Sequence, residues 1–296
     1  MKLSVVMAVF NGARELPSTL DSIAAQTLRD YELLAIDDGS TDETPSILAS
    51  YAARDPRMRV LSQANAGLTR SLIRGCAEAR TEVIARHDCG DRSLPERFAR
   101  ELALLEKGHV LVSCATRFVD ADRDLLYTTR AGGDETRESL LHAGAAHIHA
   151  LPHHGSAMFR REAYVAAGGY RESFRVAQDL DLWIRMAPLG TIGILDDVLY
   201  EALFDAKSIS GSSRDAQLRL TEIAVALRDG GDTALLEQAA RVHPAPHSTR
   251  GEAAALYFIG KCLLAQGNAK GRTRLREALA KNPWHWRARL SLLMGR

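Results

Sequence analysis

The N-terminal part of the chain alternates between short apolar runs and segments whose apolar residues recur at helical spacing. Leu3–Val9 is a continuous apolar, β-branched run that ends at Asn11-Gly12, which predicts a strand buried on both faces and then a turn. Residues 16–26 place their apolar side chains on one face of a helix. The same two patterns predict strands at 31–36, 59–63 and 82–86 and helices at 44–53 and 67–80.

This alternation indicates a fold class and a place for a ligand. Strands that alternate with helices are typical of a mainly parallel sheet covered by helices on both faces, which is an α/β fold. In such sheets ligands bind beyond the carboxyl ends of the strands. The loops at Asn11, at Asp37-Asp38 and at Asp88 each follow a predicted strand. We therefore expect these polar residues to lie together at one edge of the sheet.

The pattern changes twice further along the chain. From about Ala99 it becomes mixed, with predicted strands at 110–113 and 117–120 and predicted helices at 160–167 and 179–186. Beyond about Ser210 only helical patterns rich in alanine, leucine and arginine remain, at 214–228, 233–241, 251–266 and 270–281. We place a domain boundary near Ser212, which gives an α/β domain over 1–212 and a small all-α region over 213–296.

Composition narrows the class of protein. The formal net charge is +1, which argues against a nucleic-acid binder held by a basic field. The four cysteines show no C-x-x-C spacing, so a disulfide framework or a structural zinc site is not expected and a reducing cytoplasm fits best. The apolar start of the chain is too short to span a membrane and leads into a turn, so we expect a buried strand and no transmembrane helix.

Eight short motifs follow one another in a fixed order. They are residues 4–11 (SVVMAVFN), 26–27 (QT), 36–42 (IDDGSTD), 65–70 (NAGLTR), 85–97 (ARHDCGDRSLPER), 154–160 (HGSAMFR), 168–170 (GGY) and 178–183 (QDLDLW). From about Lys2 to about Ser210 this order resembles family 2 glycosyltransferases of the GT-A fold. The resemblance implies a Rossmann-like mixed sheet and transfer of a sugar from a nucleotide-diphosphate sugar, a UDP- or dTDP-sugar, to an acceptor hydroxyl.

The resemblance also implies residues that bind the nucleotide. Ala8, Val9 and Phe10 would line the base pocket beside Asn11, with Phe10 stacked on uracil. Asp38 would accept a hydrogen bond from the ring N–H of the base, although a plain turn with a capping Ser40 or Thr41 is the alternative for this segment.

Two arginines belong to the same expectation. Arg70 would reach the base or a phosphate, or would be a solvated helix charge. Arg86 would brace the acidic motif that follows it.

The acidic motif departs from the family pattern. Family members show Asp-x-Asp, whose carboxylates hold the ribose and a divalent cation, Mn²⁺ or Mg²⁺, on the diphosphate. This chain has Asp88-Cys89-Gly90-Asp91, with glycine where the main metal carboxylate usually stands. Three outcomes are open: Asp91 reaches the metal together with Asp88, basic residues take over the leaving-group charge, or activity is lost.

The acceptor side carries the catalytic base in this resemblance. Asp179, preceded by Gln178, would take the proton of the acceptor hydroxyl in one in-line displacement that inverts the anomeric configuration. Stabilisation of a helix N-terminus is its alternative role. Trp183 would pack in the core or wall the acceptor cleft, and His154 would contact the acceptor or a phosphate.

Two neighbouring segments extend this side of the expected site. Five histidines stand between 142 and 154, and because their spacing fits no standard metal site we expect a polar acceptor loop. Lys207, Ser208 and Ser210 match a loop that closes over the diphosphate, with a flexible surface loop as the alternative.

The tail resembles a tetratricopeptide helix pair. Small residues stand at the expected crossing of the two helices, and Asn282-Pro283 follows the second. One pair cannot bury a core alone, so it must dock on the catalytic domain, on neighbouring helices or on a second subunit. Trp284, Trp286 and the arginines at 287 and 289 suggest a peripheral membrane patch, but we expect ordinary packing of a terminal helix instead.

Two other functions compete with sugar transfer to a glycan, lipid-linked or protein acceptor. A nucleotidyltransferase would want a glycine- and arginine-rich phosphate loop near the first strand, and residues 9–14 (VFNGAR) match that poorly. A non-catalytic or metal-impaired sugar-nucleotide-binding scaffold is favoured by Gly90 and by the repeat-like tail.

Overall fold

A computed structural model describes residues 1–205, 214–244 and 248–294. The strands are β1 (Leu3–Val9), β2 (Tyr31–Asp37), β3 (Met58–Ser62), β4 (Val83–Arg86), β5 (Arg92–Ser93), β6 (Leu111–Val119), β7 (Leu125–Thr129), β8 (Met158–Arg160) and β9 (Ile192–Leu203). The helices are α1 (Leu16–Ala24), α2 (Thr44–Ala52), α3 (Leu68–Glu78), α4 (Arg97–Leu105), α5 (Gly133–His142), α6 (Arg161–Ala166), α7 (Gln178–Met186), α8 (Arg214–Arg228), α9 (Ala234–Arg241), α10 (Thr249–Ala265), α11 (Lys270–Lys281) and α12 (Trp286–Met294).

The strands form one mixed sheet in the order β3-β2-β1-β4-β8-β6-β9-β5, with β7 paired to β6. The first four are parallel, as the alternating pattern predicts. β8 then runs antiparallel to both β4 and β6. The two strands predicted at 110–113 and 117–120 are one strand, β6, whose register with β9 shifts between Cys114 and Thr116. The predicted α/β sheet with flanking helices is therefore confirmed.

Side chains alternate between the two faces of the sheet, and each face has its own apolar layer. Val6, Leu34 and Ile84 belong to the layer on one face, which includes Leu72 of α3. Val5, Leu33 and Ala85 belong to the layer on the other face, which includes Leu20 of α1. This two-sided burial explains why β1, β2 and β4 appear in the sequence as mostly apolar runs.

Helix α8 packs with the sheet domain. Its buried residues Ala216, Leu220 and Ala224 join the same apolar layer as Trp183 of α7. The buried residues of α8 therefore belong to the same apolar core as residues 1–205. The domain boundary near Ser212 stays a prediction.

Helices α10, α11 and α12 form a smaller layer that rests on β7. Leu256, Leu275 and Ala288 pack against one another, and Ile259 and Leu263 of α10 pack on Leu126. α10 and α11 approach closely where Gly260 meets Gly271. The likeness to a tetratricopeptide pair stays a prediction.

The terminal helix differs from our expectation. Trp284 is 87% exposed and Trp286 is 65% exposed, so the predicted packing of these rings is wrong. The reason lies in α12, whose small residues Ala288 and Ser291 face inward. None of the described helices is both long enough and apolar enough to cross a lipid bilayer.

Candidate active site

Three loops meet beyond the carboxyl ends of β1, β2 and β4, because these strands are parallel neighbours. The register pairs Val9 with Asp37 and Val6 with Arg86. Asn11 sits in the left-handed region at φ +49° and links two of the loops. Its N–H donates to Ser40 Oγ at 2.9 Å, and its Oδ1 accepts from the Thr41 N–H at 2.8 Å.

The expected base pocket has one exposed aromatic ring. Phe10 is 52% exposed at the end of β1, Val9 is buried and Ala8 is half-buried. The carboxylate of Asp38 is buried, and it accepts from Gln63 Nε2 at 2.7 Å and from two backbone N–H groups, at Ala66 (2.9 Å) and Gly67 (2.8 Å). Asp38 therefore shapes the loop before α3, and its contact with a base stays a prediction.

Arg70 lies on the surface. Its Nε donates to Glu172 at 2.9 Å, and about three-fifths of the side chain is exposed (61%). This ion pair corresponds to the solvated helix charge, the alternative that the sequence left open. Lys207, Ser208 and Ser210 lie outside the described residues.

A fully buried arginine holds the acidic loop, as the sequence suggested. Arg86 Nη2 donates to Asp88 Oδ1 at 2.6 Å, and its Nη1 donates to the Val6 carbonyl. Burial alone would raise the pKa of Asp88. The charge of Arg86 is the largest of several opposing effects, and together with the neighbouring histidines it lowers the pKa to about 2. Asp88 is therefore ionised at neutral pH, with 31% of its side chain exposed.

His154 is part of this support. Its Nε2 lies 3.2 Å from Arg86 Nε and 2.8 Å from Tyr170 Oη. Burial, and then the charge of Arg86, lowers the pKa of His154 to about 3, so the imidazole is neutral. A neutral ring accepts the Arg86 N–H at Nε2. His154 thus acts mainly through Arg86, and its predicted contact with an acceptor or phosphate stays a prediction.

Asp91 and His153 complete a group of three possible metal ligands with Asp88. One ligand atom from each lies within 4.8 Å of the others. Burial and the neighbouring Asp88 raise the pKa of Asp91 well above its ordinary value. Burial lowers the pKa of His153 to about 4, and its buried Nδ1 has no hydrogen-bond partner among the residues that the structure describes.

This donor set fits a divalent cation. Two crowded carboxylates repel each other unless a positive charge lies between them, and a neutral imidazole with a free nitrogen is a common ligand. Asp91 accepts at Oδ1 from the Leu203 N–H at 2.8 Å and lies beside Asp88. This position is compatible with the first of the three outcomes left open by the sequence, in which Asp91 and Asp88 reach the metal together. The sequence missed His153 because the histidine spacing fits no local ligand set.

Gly90 has a backbone that suits glycine. Its φ is +101°, in the region that L side chains rarely adopt, and a Cβ there would lie 3.2 Å from Leu203 Cδ2. The Gly90 N–H donates to Thr19 Oγ1 at 3.0 Å, and its carbonyl accepts from Arg123 Nη2 at 2.9 Å. The loop therefore brings the carboxylates of Asp88 and Asp91 close to His153, and their binding of a metal stays a prediction.

Asp179 lies at the start of α7, after Ala177 in the left-handed conformation (φ +54°). Burial is the largest cause that raises the pKa of Asp179, and the charge of Asp88 raises it further. Gln178 is buried, and its Oε1 has no hydrogen-bond partner in the described part of the chain. A carboxylate with a raised pKa at the wall of a cavity is a candidate general base.

One cavity of about 340 Å³ brings Asp88, His153 and Asp179 together, whereas Phe10, Asp38 and Asp91 are not among its lining residues. Its polar walls include Asp88, Asp179, His153 and Arg175, and Gln217 of α8 closes one side. The remaining lining residues are Leu68, Phe118, Thr129, Leu151, Pro152, His154, Val176, Ala177 and Gln178. The side chains from Phe118, Arg175 and Gln217 were not predicted from the sequence.

Trp183 does not belong to the walls of this cavity. Its ring is fully buried and meets Phe159 edge-on, at 5.9 Å between ring centroids. It lies on the face of α7 that packs on β8, so the structure supports the core alternative rather than the acceptor side.

Comparison with known proteins connects this geometry to a family. Residues 4–166 match the model of glycosyl transferase family 2. The chain is 30% identical over 217 residues to the putative glycosyltransferase EpsE of Bacillus subtilis, which covers 72% of this chain and 76% of EpsE.

Two solved structures have a similar fold. One is residues 1–349 of TarS from S. aureus in complex with UDP, with a TM-score of 0.60 and 16% identity over all of this chain and 92% of that one. The other is a mannosyltransferase from Pyrobaculum calidifontis in complex with GDP-Man and Mn²⁺, with a TM-score of 0.61 and 22% identity over 99% and 83% of the two chains. These likenesses confirm the predicted GT-A fold.

Proposed function

Since this chain belongs to glycosyl transferase family 2 and is a glycosyltransferase, we propose that it transfers a sugar from a UDP-sugar to an acceptor hydroxyl with inversion. One observation carries the proposal. Asp88 and Asp179 line the same cavity, yet their pKa values are shifted in opposite directions. Two carboxylates whose environments separate their pKa values are typical of a site in which one stays ionised and the other handles a proton.

The nucleotide of the donor would lie beyond the ends of β1 and β2. Phe10 offers an exposed ring on which a base can stack, and Asn11 and Asp38 fix the loops around it. The complex of TarS with UDP supports a uridine nucleotide, although the mannosyltransferase of the same fold holds GDP-Man. Ala8 and Val9 form the floor below the ring in this proposal.

Asp88, Asp91 and His153 would hold a divalent cation. Two carboxylates and an imidazole suit Mn²⁺ better than Mg²⁺, which prefers oxygen ligands alone. When bound, the cation would neutralise charge on the departing diphosphate. Arg86 helps to keep Asp88 ionised and oriented for this role, and His154, itself hydrogen-bonded to Tyr170, accepts from Arg86 in turn.

Asp179 would act as the base. It takes the proton from the acceptor hydroxyl while that oxygen bonds to the anomeric carbon and the bond from that carbon to the diphosphate oxygen breaks. The raised pKa strengthens Asp179 as a proton acceptor, and it remains ionised at a pH above that value.

The acceptor would enter the cavity from the side of Phe118 and Gln217. Its walls combine apolar residues with Arg175, which suits a glycan, lipid-linked or protein hydroxyl. The four cysteines are all free thiols, which is consistent with a protein that acts in a reducing cytoplasm.

The test compares Asp179→Asn with the wild type on a panel of UDP-sugars. Loss of one general base typically costs about 10²–10⁴-fold in rate, so turnover should fall by that order while UDP still raises the melting temperature. Asp196→Asn, at an exposed carboxylate on β9, is the matched control and should keep full activity. Unchanged turnover in Asp179→Asn would remove the proposed base.

A further inference from the structure

Helix α12 carries its large apolar residues on the outside. Trp286, Leu290, Leu293 and Met294 recur at helical spacing and are 65%, 46%, 79% and 61% exposed. An amphipathic helix of a globular protein normally turns such a stripe toward the core. Here the stripe has the opposite orientation, so nothing within the described part of the chain covers it.

These residues form one continuous surface with the segment before the helix. Trp284, which is 87% exposed, and Pro283 line a groove of about 300 Å³ together with Trp286, Leu290 and Leu293. We call the surface formed by Pro283, Trp284, Trp286, Leu290, Leu293 and Met294 the Trp284 patch. Contiguous exposed apolar surfaces with a polar rim mark interaction sites.

The rim of the Trp284 patch is basic. Arg287 lies over the Trp286 ring at 5.3 Å, and Arg289 lines the groove and donates to the Pro283 carbonyl at 2.9 Å. The sequence from Lys270 to Arg296 contains eight arginines and lysines and one acidic residue, although the whole chain has a net charge of only +1. Lys270, Arg274 and Lys281 are paired with Asp124, Asp120 and Glu252, so the positive charge at the rim of the patch is that of Arg287 and Arg289, which form no ion pair among the described residues.

The charge of these arginines favours one of two binding partners for the apolar patch, a second copy of the chain or an anionic surface. In a symmetric dimer the same patch would meet itself, and the arginines at 287 and 289 would lie near their own copies. Like charges at such an interface oppose association. An anionic surface, in contrast, gains from the attraction of both arginines.

We infer that the Trp284 patch binds the surface of an anionic lipid bilayer. Tryptophan rings settle at the level of the lipid headgroups, and leucine and methionine side chains enter the boundary with the acyl chains. Arg287 and Arg289 then contact lipid phosphates, while their alkyl stems cover apolar surface. This inference concerns where the protein acts and does not depend on the proposed function.

The experiment uses the intrinsic fluorescence of the full chain. Of its three tryptophans, Trp183 is fully buried, so an emission change on adding vesicles must come from Trp284 and Trp286. We expect a blue shift and quenching by bromolipids with vesicles of phosphatidylcholine and phosphatidylglycerol, and a much smaller change with phosphatidylcholine alone. Binding to the anionic vesicles should weaken as salt is added.

Two variants test the parts of the patch separately by vesicle flotation. Trp284→Ser with Trp286→Ser should abolish flotation, and Val165→Ser, at an exposed apolar residue on α6, should float like the wild type. Arg287→Gln with Arg289→Gln should lower the partition coefficient roughly thirtyfold, from the attraction of two basic residues to an anionic surface. The arginine variant keeps the apolar residues and tests the inference even if the tryptophan variant folds poorly.

Several outcomes would overturn the inference. Absence of binding to anionic vesicles is one, and equal binding by the wild type and both variants is another. Light scattering that shows a dimer, lost in the tryptophan variant, would assign the patch to a second copy of the chain instead.

Discussion

At the scale of single residues, the cavity separates two carboxylates by their surroundings. Asp88 touches a fully buried guanidinium and ionises easily, whereas Asp179 forms no ion pair among the described residues and burial raises its pKa. The difference arises from Arg86, the last residue of β4, whose buried guanidinium donates to the Val6 carbonyl and to the Asp88 carboxylate. Proton transfer and charge stabilisation can therefore be assigned to different residues of one cavity.

The first prediction concerns pH. Asp179 must be deprotonated to act as a base, so turnover should rise with pH through its pKa and level off above it. Because that pKa is raised, the acid limb should lie above the ordinary value of 3.8. The profile of kcat from pH 4 to pH 9 measures the limb, and the residual activity of Asp179→Asn should lack it. A limb that persists in this variant would belong to another group.

The second prediction concerns the metal. If His153 is a ligand through its unpartnered Nδ1, His153→Ala should weaken Mn²⁺ binding by at least about tenfold, as measured by calorimetry. His149→Ala is the matched control, because this exposed histidine of the same loop pairs with Glu135. Equal Mn²⁺ affinity in both variants would exclude His153 from the site.

The order of the short motifs along the sequence predicted several residues of this site, but not all of them. Asp88, Arg86 and Asp179 stand in motifs that could be recognised from the sequence alone. His153 could not, because the antiparallel pairing of β4 with β8 brings it to Asp88 from 65 positions away. The role of Gly90 could not be predicted either, because the sequence does not show that the backbone at this position has a positive φ. Gly90→Asp would strain the loop rather than supply a ligand.

At the scale of elements, the parallel half of the sheet was predictable and the antiparallel half was not. Strands β1, β2 and β4 are buried on both faces and appear as mostly apolar runs, whereas β3 lies at the edge of the sheet and is largely half-buried. β8 has only three residues, and β9 is interrupted by the exposed Asp196 and Asp197. Such short or half-exposed strands show no clear periodicity of apolar residues in the sequence. They can be identified only from their pairing with other strands in the folded structure.

The third prediction tests the contact between α3 and the sheet. A Cβ at Gly75 would lie 2.5 Å from Val6 Cγ1 and 2.8 Å from Ile36 Cδ1, so the helix has no room for a larger residue. Gly75→Val should lower the free energy of unfolding by about 1–3 kcal/mol, measured by chemical denaturation. Gly144→Ala, whose Cβ would meet open space, should leave it nearly unchanged. Equal stability of the two variants would contradict the close approach.

At the scale of the whole molecule, two kinds of contact attach the C-terminal helices to the sheet domain. Apolar contact joins α10 to β7, where Phe258 meets Tyr127 with 5.8 Å between ring centroids. Ion pairs join α11 to the turn after β6, where Lys270 and Arg274 contact Asp122. The turn is itself rigid, because Asp120 Oδ1 accepts the N–H groups of two residues further along it.

The last prediction weighs the ion pairs against the apolar contact. Arg274 Nη2 lies 3.2 Å from Asp120, which is 1% exposed, while Arg274 itself is 20% exposed. This pair is more shielded than a surface salt bridge and less so than a fully buried one, so Arg274→Ala should cost about 1–2 kcal/mol. Hydrogen exchange should quicken in α10 to α12 and stay unchanged in β1 to β4. Arg272→Ala, at an exposed position on the same helix, is the control. If exchange in the helices does not respond to Arg274→Ala, the apolar contact with β7 alone fixes their position.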